Sequence, residues 1–403
     1  MMDGMSLNAA ASALQKPVVF ILHPSDLLTD HRLNGDGLVA CDFLRELVRR
    51  GYRLHVACRE VDLLCPFPDS LTLYPIARSG LPEILGRVEY MIRARLLLTR
   101  LRRSNSIHIV HQMNPVYAGL SLGLAGCGLP TLLGTYVARW PEEDGGSFAS
   151  RAKRQARRFV AFLQQVQASK ILLTTPAAMD QIASPRRVQH KIVQMNHGVD
   201  AVMFSPSGQP SAYGPASILF YTSVTRKKGI FTLLAAFEKV ARACPDASLS
   251  VVGRGEDWDE VRRVVAGMAC RDRIAMRGFI PRYEAPDLFR RHAIYCLPSH
   301  GEPLGGTALE GMACGKPLVV TNTGGLPYVL AEDGGIKVPE NDPDALAEAL
   351  LQLISAPDMQ KRMGAANRAR IEAEFTWQKV VDKLERVYAD LVRSDGRKGE
   401  AER

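Results

Sequence analysis

The chain has 403 residues, of which 46% are hydrophobic and 23% charged, and its formal net charge is +9. This composition is typical of a soluble globular protein, and the length predicts two to three domains. Its eight cysteines form no Cys-x-x-Cys pair. Because several of them lie in apolar segments, we expect reduced core thiols in a cytoplasmic protein, which excludes a disulfide framework and a zinc site.

The first half of the sequence alternates strand and helix patterns. Residues 1–15 are rich in small residues and lack the basic and long apolar regions of a signal peptide, so they predict a disordered tail. A loop at 23–37 and a helix to about Arg50 follow the first strand. This alternation predicts a parallel, doubly wound sheet. The predicted strands are 17–22, 54–58, 107–110, 131–134 and 170–174.

An uncharged segment at 112–138 raises the question of a membrane span. It contains Asn114, Pro115, Pro130 and five glycines. A helix at 116–125 followed by a buried strand at 131–134 explains it better, so we predict no transmembrane segment.

Positive charge is concentrated in two stretches of the first half. Both are predicted amphipathic helices, which either dock on an anionic membrane surface or are solvated helices with an ordinary core face. They lack the interleaved aromatic residues of a nucleic-acid site, so we expect no nucleic-acid partner. The basic residues are Arg87, Arg93, Arg95, Arg100, Arg102 and Arg103 within 84–103, and Arg151, Lys153, Arg154, Arg157 and Arg158 within 150–166.

The second half repeats the strand–helix alternation more regularly. A polar stretch at 206–215 is the best linker by composition. The predicted strands are 217–223, 248–252, 274–277, 293–297, 318–321 and 335–338.

The most informative motif is the segment from Pro298 to Pro317. An apolar strand leads into a glycine-rich turn that contains Glu302, and a predicted helix from about Thr307 to Cys314 carries Glu310. Ligands of open parallel sheets bind at such carboxyl ends of strands. Backbone amides of Gly305, Gly306 and Thr307 at the start of the helix suit a phosphate, and two carboxylates suit a ligand rich in hydroxyls. A phosphate combined with a polyol describes a sugar nucleotide.

With two glutamates at this spacing followed by Gly-Met-Ala-Cys-Gly-Lys-Pro317, the chain resembles the retaining GT-B glycosyltransferases of the GT4-like group. The resemblance implies an α/β fold with two Rossmann-like parallel-sheet domains facing a central cleft. It assigns 16–205 to the acceptor-side domain, 206–370 to the nucleotide-sugar domain and 371–393 to a helix that crosses back to the first domain. A charged tail at 394–403 completes the expected organisation.

The same resemblance implies roles for individual residues. Lys228, Glu302 and His111 would be the catalytic residues, with Lys228 on the donor diphosphate and Glu302 on the donor sugar, while Glu310 would bind the ribose. The alternative for His111 is a partly buried histidine whose hydrogen bonds are satisfied. No metal cluster is visible, so neither a metal nor another cofactor is expected. Further donor-binding positions are Gly35 and Gly37 in the Asn34-Gly-Asp-Gly loop, Ser223 after a strand, Arg254 in Val252-Gly-Arg-Gly, Ile280 near the base, and Gly305, Gly306 and Thr307.

Two positions depart from the family pattern. Ser223 stands where the family usually has arginine, so Lys228 lacks its customary partner unless Arg226 or Lys227 replaces it. Met113 stands where relatives often carry histidine. The expected activity is transfer of a sugar with retention to a glycan, lipid-linked or small-molecule acceptor. Two alternatives remain open, a sugar-nucleotide epimerase and a degenerate, non-catalytic partner of another transferase.

Overall fold

Two parallel sheets organise the chain, one in each half of the sequence. The computed structural model describes residues 16–32, 35–104, 106–124, 126–140, 148–209 and 211–401. Within these residues one sheet has seven strands and the other has six. Parallel strands must be joined by crossover connections, so helices cover both faces of each sheet. The predicted α/β class is therefore confirmed.

The first lobe comprises residues 16–195 and the last helix of the chain. Its main sheet has the order β5-β3-β1-β6-β7-β8-β9, all parallel, and β2 pairs separately with β4. The strands are β1 (Val19–Leu22), β2 (Leu27–Thr29), β3 (Leu54–Cys58), β4 (Glu60–Asp62), β5 (Leu71–Pro75), β6 (Ile109–Gln112), β7 (Thr131–Tyr136), β8 (Lys170–Leu173) and β9 (Ile192–Gln194). The helices are α1 (Gly35–Arg49), α2 (Glu83–Ser104), α3 (Phe148–Gln167) and α4 (Pro185–Val188).

The second lobe, residues 199–375, has a parallel sheet of order β12-β11-β10-β13-β14-β15. Its central strands are apolar and fully buried, as expected for strands covered on both faces. The strands are β10 (Ser217–Tyr221), β11 (Ser248–Val252), β12 (Ile274–Arg277), β13 (Ile294–Leu297), β14 (Leu318–Thr321) and β15 (Gly335–Val338). The helices of this half are α5 (Ile230–Ala243), α6 (Trp258–Gly267), α7 (Ala285–Arg291), α8 (Gly306–Ala313), α9 (Leu326–Val329), α10 (Pro343–Ile354) and α11 (Pro357–Arg370), and a π-helical turn (Ile371–Phe375) leads to α12 (Trp377–Ala401).

The chain passes between the lobes twice, and the two passages lie side by side. Met195 belongs to the first core and Val199 to the second, whereas Phe375 belongs to the second core and Trp377 to the first. The Val199 N–H donates to the Phe375 carbonyl at 2.8 Å. A Cβ on Gly198 would lie 2.3 Å from the Trp377 ring, so glycine is required there. The outward passage thus precedes the predicted linker at 206–215.

Helix α12 completes the core of the first lobe. Its apolar face packs on α1 and on the sheet, with Leu384 and Tyr388 fully buried. This is the predicted return of the last helix to the first domain. The predicted end of this helix at residue 393 is wrong, because α12 continues through the predicted charged tail to Ala401. A glycine inside a helix costs only about 1 kcal/mol, so Gly396 and Gly399 do not end it.

The predicted helix at 116–125 is also wrong. Only a short 3₁₀ turn forms there, Leu120–Leu124. Gly119 has φ +95, and a Cβ on Gly123 would lie 2.1 Å from the Met91 side chain of α2. The segment is therefore shaped by close packing between α2 and α3 rather than by helical periodicity.

The helices α2 and α3 flank this turn, and their solvent side is unusually apolar. We call this surface the outer face, and its members are Ile84, Val88, Ile92 and Leu96 on α2 and Phe159, Leu163 and Val166 on α3, each 37–65% exposed. The core side of α2 is narrow, with Tyr90, Ala94, Leu98 and Leu101 buried. Helix α2 thus has a core side of four buried residues and, opposite it, an exposed apolar side. No helix in the described part of the chain is long and apolar enough to cross a bilayer.

Candidate active site in the cleft between the lobes

A cavity of about 590 Å³ lies between the two lobes. It lies where loops follow the carboxyl ends of the strands of both sheets, which is the edge where open parallel sheets bind ligands. The first lobe contributes Gly35, Asp36, Asn114, Tyr117 and Trp140, the passage between the lobes contributes His197, and the second lobe contributes Lys228, Glu302, Gly305 and Gly306, among others.

The centre of the cleft is an ion pair between two predicted residues. Lys228 Nζ donates to Glu302 Oε2 at 2.6 Å, and the two side chains are only 15% and 8% exposed. The ammonium group also lies 4.7 Å from the centre of the Trp140 ring of the first lobe. Desolvation strengthens such an interaction, so the pair forms a fixed, polar wall.

Close backbone packing holds this pair in place. Gly229, at φ +73, ends the turn that carries Lys228, and a Cβ there would lie 1.9 Å from the Pro298 carbonyl oxygen. The His300 N–H donates to the Lys227 carbonyl at 2.8 Å. Behind Glu302, the Gly325 N–H donates to the Glu302 carbonyl at 2.7 Å. The carboxylate and the ammonium therefore sit on two loops that cannot move independently.

Of three glycines in the cleft, internal packing requires one and leaves space for a side chain at the other two. Gly305 has φ +84, and a Cβ there would lie 2.5 Å from Leu326, so the fold requires glycine. At Gly35 and Gly306 a Cβ would meet nothing within 4 Å. Both line the cavity and begin helices α1 and α8. Internal packing does not require these two glycines, and their first-turn amides lack intrahelical partners, which favours a phosphate or sugar close to the backbone.

Glu310 lies on α8 behind the cavity and takes part in a bridge between the lobes. Arg282 donates from Nη2 to Asp42 of α1 at 2.8 Å and contacts Glu310 from Nε at 3.4 Å. Burial raises the pKa of Glu310 to about 7, although Arg282 opposes this shift. Burial by itself lowers the pKa of Arg282, but the charges of Asp42 and Glu310 outweigh it and raise that pKa.

His111 is buried and lines a small cavity of about 30 Å³ beside the cleft, together with Asp36, Asn114 and His197. Its Nε2 lies 2.9 Å from the Gly134 carbonyl and its Nδ1 lies 2.7 Å from the Tyr388 hydroxyl. A carbonyl only accepts, so Nε2 carries the proton and Nδ1 accepts from Tyr388. Burial lowers the pKa of His111 to about 4. A neutral imidazole with both nitrogens bonded joins α12 to β7, which is a structural arrangement, and Met113 is likewise buried in the first core.

The remaining predicted residues lie in loops or a helix at the same edge of the second sheet, except Gly37, which is buried in α1. Ser223 follows β10, Arg254 follows β11 and stacks 5.3 Å from the Trp258 ring, and half-buried Ile280 follows β12. Thr307 Oγ1 accepts from Tyr295 Oη at 2.7 Å. These residues surround the cleft without lining its central cavity. Asn34 lies outside the described residues.

Arg226 does not replace the arginine that the family has at the position of Ser223. Its guanidinium donates to Glu260 at 2.5 Å and stacks 4.3 Å from the Phe231 ring, on the outside of the lobe. The additional arginines that line the cavity are Arg139 and Arg157, which come from the first lobe.

Sequence reasoning missed several residues of the first lobe. Asp36 lines the cavity and accepts from Asn114 Nδ2 at 2.7 Å, and burial raises the pKa of Asp36 despite this bond. His197 also lines the cavity, and burial lowers its pKa to about 4. Asp36 lies inside the predicted loop at 23–37, whereas no feature of the sequence analysis indicated His197 or Trp140. In the described residues no group of three or more His, Cys, Asp or Glu side chains is arranged to hold a metal ion.

Comparison with known proteins agrees with this geometry. Residues 33–202 match the model of Glycosyltransferase Family 4, and residues 207–370 match the model of Glycosyl transferases group 1. The chain belongs to the GT4-like group of GT-B glycosyltransferases.

Individual relatives cover much of the chain. It is 28% identical over 316 residues to glycogen synthase of Mycobacterium tuberculosis, covering 76% of this chain and 74% of that enzyme. It is 30% identical over 207 residues to a GDP-mannose-dependent monoacylated alpha-(1-6)-phosphatidylinositol monomannoside mannosyltransferase of Corynebacterium glutamicum, covering 46% and 53%. The fold is similar to sucrose-phosphate synthase from Thermosynechococcus elongatus, with a TM-score of 0.74, 19% identity and coverage of 94% and 100%.

Proposed function

We propose that this glycosyltransferase moves a sugar from a nucleotide-sugar donor to an acceptor hydroxyl, with retention of anomeric configuration and without a metal ion. The observation that carries the proposal is the buried Lys228–Glu302 pair at 2.6 Å, beside the first turn of α8 in the cleft. The mannosyltransferase relative, whose name specifies GDP-mannose, supports a nucleotide sugar as the donor.

The second lobe supplies groups suited to a departing diphosphate. Negative charge grows on the leaving phosphate during transfer, and Lys228 together with the amides of Gly306 and Thr307 would stabilise it. Glu302 would face the sugar ring, where positive charge develops. Glu310 would bind the ribose with one carboxylate oxygen while the other contacts Arg282.

Retention is expected if the acceptor attacks from the face that the diphosphate leaves, with the leaving phosphate as base. The carboxyl of Asp36 supplies the specific alternative, because it lines the cavity from the side of the first lobe. Inverted product would assign Asp36 as a general base and would contradict retention.

The acceptor is proposed to be presented by an anionic membrane. The outer face combines exposed apolar side chains with the arginines of α2 and α3, which suits an interfacial position of these helices. Each basic residue near an anionic surface contributes on the order of 1 kcal/mol. The lipid acceptor named for the mannosyltransferase relative supports the same proposal.

A direct test is to incubate the purified chain with a panel of nucleotide sugars and to measure the released nucleotide with and without lipid and soluble acceptors. We expect release that depends on one donor and on an acceptor, is unaffected by EDTA, and gives a product whose anomeric configuration by NMR equals that of the donor. Release without any acceptor would favour the epimerase, and the absence of both nucleotide binding and release would favour the non-catalytic partner.

A further inference from the structure

A second cavity, of about 350 Å³, lies in the first lobe beside the cleft. It is formed by the loops after β1, β3 and β5 and by the first turns of α2, so it lies at the carboxyl edge of the sheet. Tyr117 lines both this cavity and the cleft, and therefore lies between them. The chief polar residues of its wall are Asp26, Arg59, Arg78, Glu83, Arg87 and Tyr117.

Arg59 is the buried cation of this cavity. It is 6% exposed, donates to the carbonyls of Ile76 and Gly86 at 3.3 and 2.8 Å, and lies 4.7 Å from the Tyr90 ring. Among the residues that the structure describes, no carboxylate lies within ion-pair distance of it, although Glu89 and Asp26 attract it from farther away. Burying a cation without a counter-ion is unfavourable, so such a group in a cavity wall indicates a missing anion. Burial accordingly lowers the pKa of Arg59.

The other two arginines of the cavity are paired only at its rim. Arg87 lies 4.1 Å from the Tyr117 ring and binds Glu83, while Arg78 binds Asp26. Glu83 is 74% and Asp26 64% exposed in these pairs. Exposed ion pairs contribute little and are easily exchanged. An anion near Arg59 and Arg87 would therefore compete only with solvated carboxylates.

We propose that this cavity binds the anionic part of the acceptor, a phosphate ester of a sugar or polyol, either free or as a lipid headgroup. Guanidinium groups bind phosphate oxygens in a bidentate manner, and Ser79 and Asp26 at the rim suit hydroxyls. An ester bound there would extend past Tyr117 toward the Lys228–Glu302 pair. The inference rests on the proposed function, because it names the acceptor of that reaction.

The test measures equilibrium binding by calorimetry, so it does not depend on turnover. The probes are inorganic phosphate and D-glucose 6-phosphate, with D-glucose as the uncharged control. We expect Arg59→Gln and Arg87→Gln to weaken binding of glucose 6-phosphate about tenfold or more, the loss of one charge-assisted hydrogen bond. Arg93→Gln, which removes the same charge from the same helix where Glu89 pairs with it, should bind like the wild type, and so should Lys228→Ala.

Binding that is lost in Lys228→Ala and retained in Arg87→Gln would place the phosphate in the cleft and overturn the proposal, as would the absence of binding of both phosphate probes. If Arg59→Gln does not fold, the result for Arg87→Gln alone tests the proposal. This variant should fold, because the carboxylate that it leaves unpaired, Glu83, is exposed to solvent. Nucleotide affinity should be unchanged in Arg87→Gln. If the protein binds the probes as expected but transfers no sugar, the binding site stands and the proposed function is wrong.

Vesicles distinguish the two sources of the ester. The wild type, Arg87→Gln and Arg93→Gln are sedimented with phosphatidylcholine vesicles that contain phosphatidylinositol. Weaker sedimentation of Arg87→Gln than of Arg93→Gln assigns a lipid headgroup, whereas equal sedimentation of the two variants, with the calorimetric difference intact, assigns a soluble ester.

Discussion

The two lobes share one architecture but present their helices to solvent differently. In the second lobe, helices such as α5 and α10 bury their apolar residues in one continuous core. In the first lobe, α2 buries Tyr90, Ala94, Leu98 and Leu101 but leaves Ile84, Val88, Ile92 and Leu96 on the outer face. Exposed contiguous apolar surface is rare unless something binds it. This difference supports the proposal that the first lobe, and not the second, contacts an extended partner.

Charge follows the same division. In the second lobe, the predicted residues Lys228 and Glu302 pair with each other, and the predicted Glu310 pairs with Arg282. In the first lobe, α3 carries basic residues without an acidic one. A ligand that enters the second lobe must replace existing internal pairs, whereas a ligand of the first lobe meets a helix whose own sequence carries a net positive charge.

The sharpest way to break this comparison is at Lys228. We expect Lys228→Ala to reduce kcat/KM by about 10²- to 10³-fold, because its charge opposes the charge that develops on the leaving diphosphate. Lys227→Ala is the matched control, since Lys227 is exposed and its carbonyl, not its side chain, receives the His300 bond. Steady-state kinetics with the active donor measures both. Equal kcat/KM for Lys228→Ala and wild type would remove Lys228 from the mechanism.

The burial of Glu310 in the second lobe predicts how the free energy of unfolding depends on pH. Its pKa of about 7 in the folded protein lies above the value of 4.5 for an unperturbed glutamate. The folded state therefore holds this proton more tightly, so the free energy of unfolding should decrease as pH rises from about 4.5 through 7, by on the order of 3 kcal/mol. Glu310→Gln should lack this decrease. Denaturant unfolding of both proteins across this range measures it, and parallel pH profiles would contradict the assignment.

Membrane binding by the outer face can be tested by introducing one negative charge into it. Leu96→Asp should weaken binding to anionic vesicles by about 2 kcal/mol, since an apolar side chain that enters the lipid boundary is replaced by a carboxylate. Val202→Asp, at an exposed valine away from the outer face, should bind like wild type. Nucleotide affinity should be the same in all three proteins. If the wild type fails to sediment with anionic vesicles at low salt, the docking proposal is wrong.

The smallest expected effect concerns His111. Tyr388→Phe removes the hydroxyl that donates to His111 Nδ1 and should lower the free energy of unfolding by about 1 kcal/mol while leaving kcat nearly unchanged. With a pKa of about 4, His111 should also produce no inflection in the activity profile above pH 5. A large loss of kcat without loss of stability would instead give His111 a place in catalysis.

The sequence predicted correctly those elements and site residues whose positions depend on neighbouring residues in the chain. The strands at 248–252, 274–277, 318–321 and 335–338 are found at their predicted bounds, because short apolar runs between turn residues leave little ambiguity. Glu302 and the glycines beside it lie in the cleft for the same reason, since one strand, turn and helix hold them all. Lys228-Gly229 can be read from the sequence, but the contacts that place Lys228 beside Glu302 depend on tertiary packing.

The parts that failed depend on contacts between distant segments. Asp42 and Arg282 meet across the cleft although 240 residues separate them, and no local pattern announces such a pair. The helix predicted at 116–125 was lost to packing against Met91. The exposure of the outer face could not be predicted, because α2 has apolar residues on two sides and its sequence does not show which side faces the sheet.

The position of α12 has a consequence for the order in which the protein is made. The first lobe is synthesised first, yet Trp377, Leu384 and Tyr388 are part of its core. On the ribosome, its sheet must therefore wait, with α1 uncovered, while the whole second lobe emerges and folds as an insertion between residues 195 and 377. Only when the last helix leaves the exit tunnel is the earliest segment able to close, so the first lobe to be translated is the last to be finished.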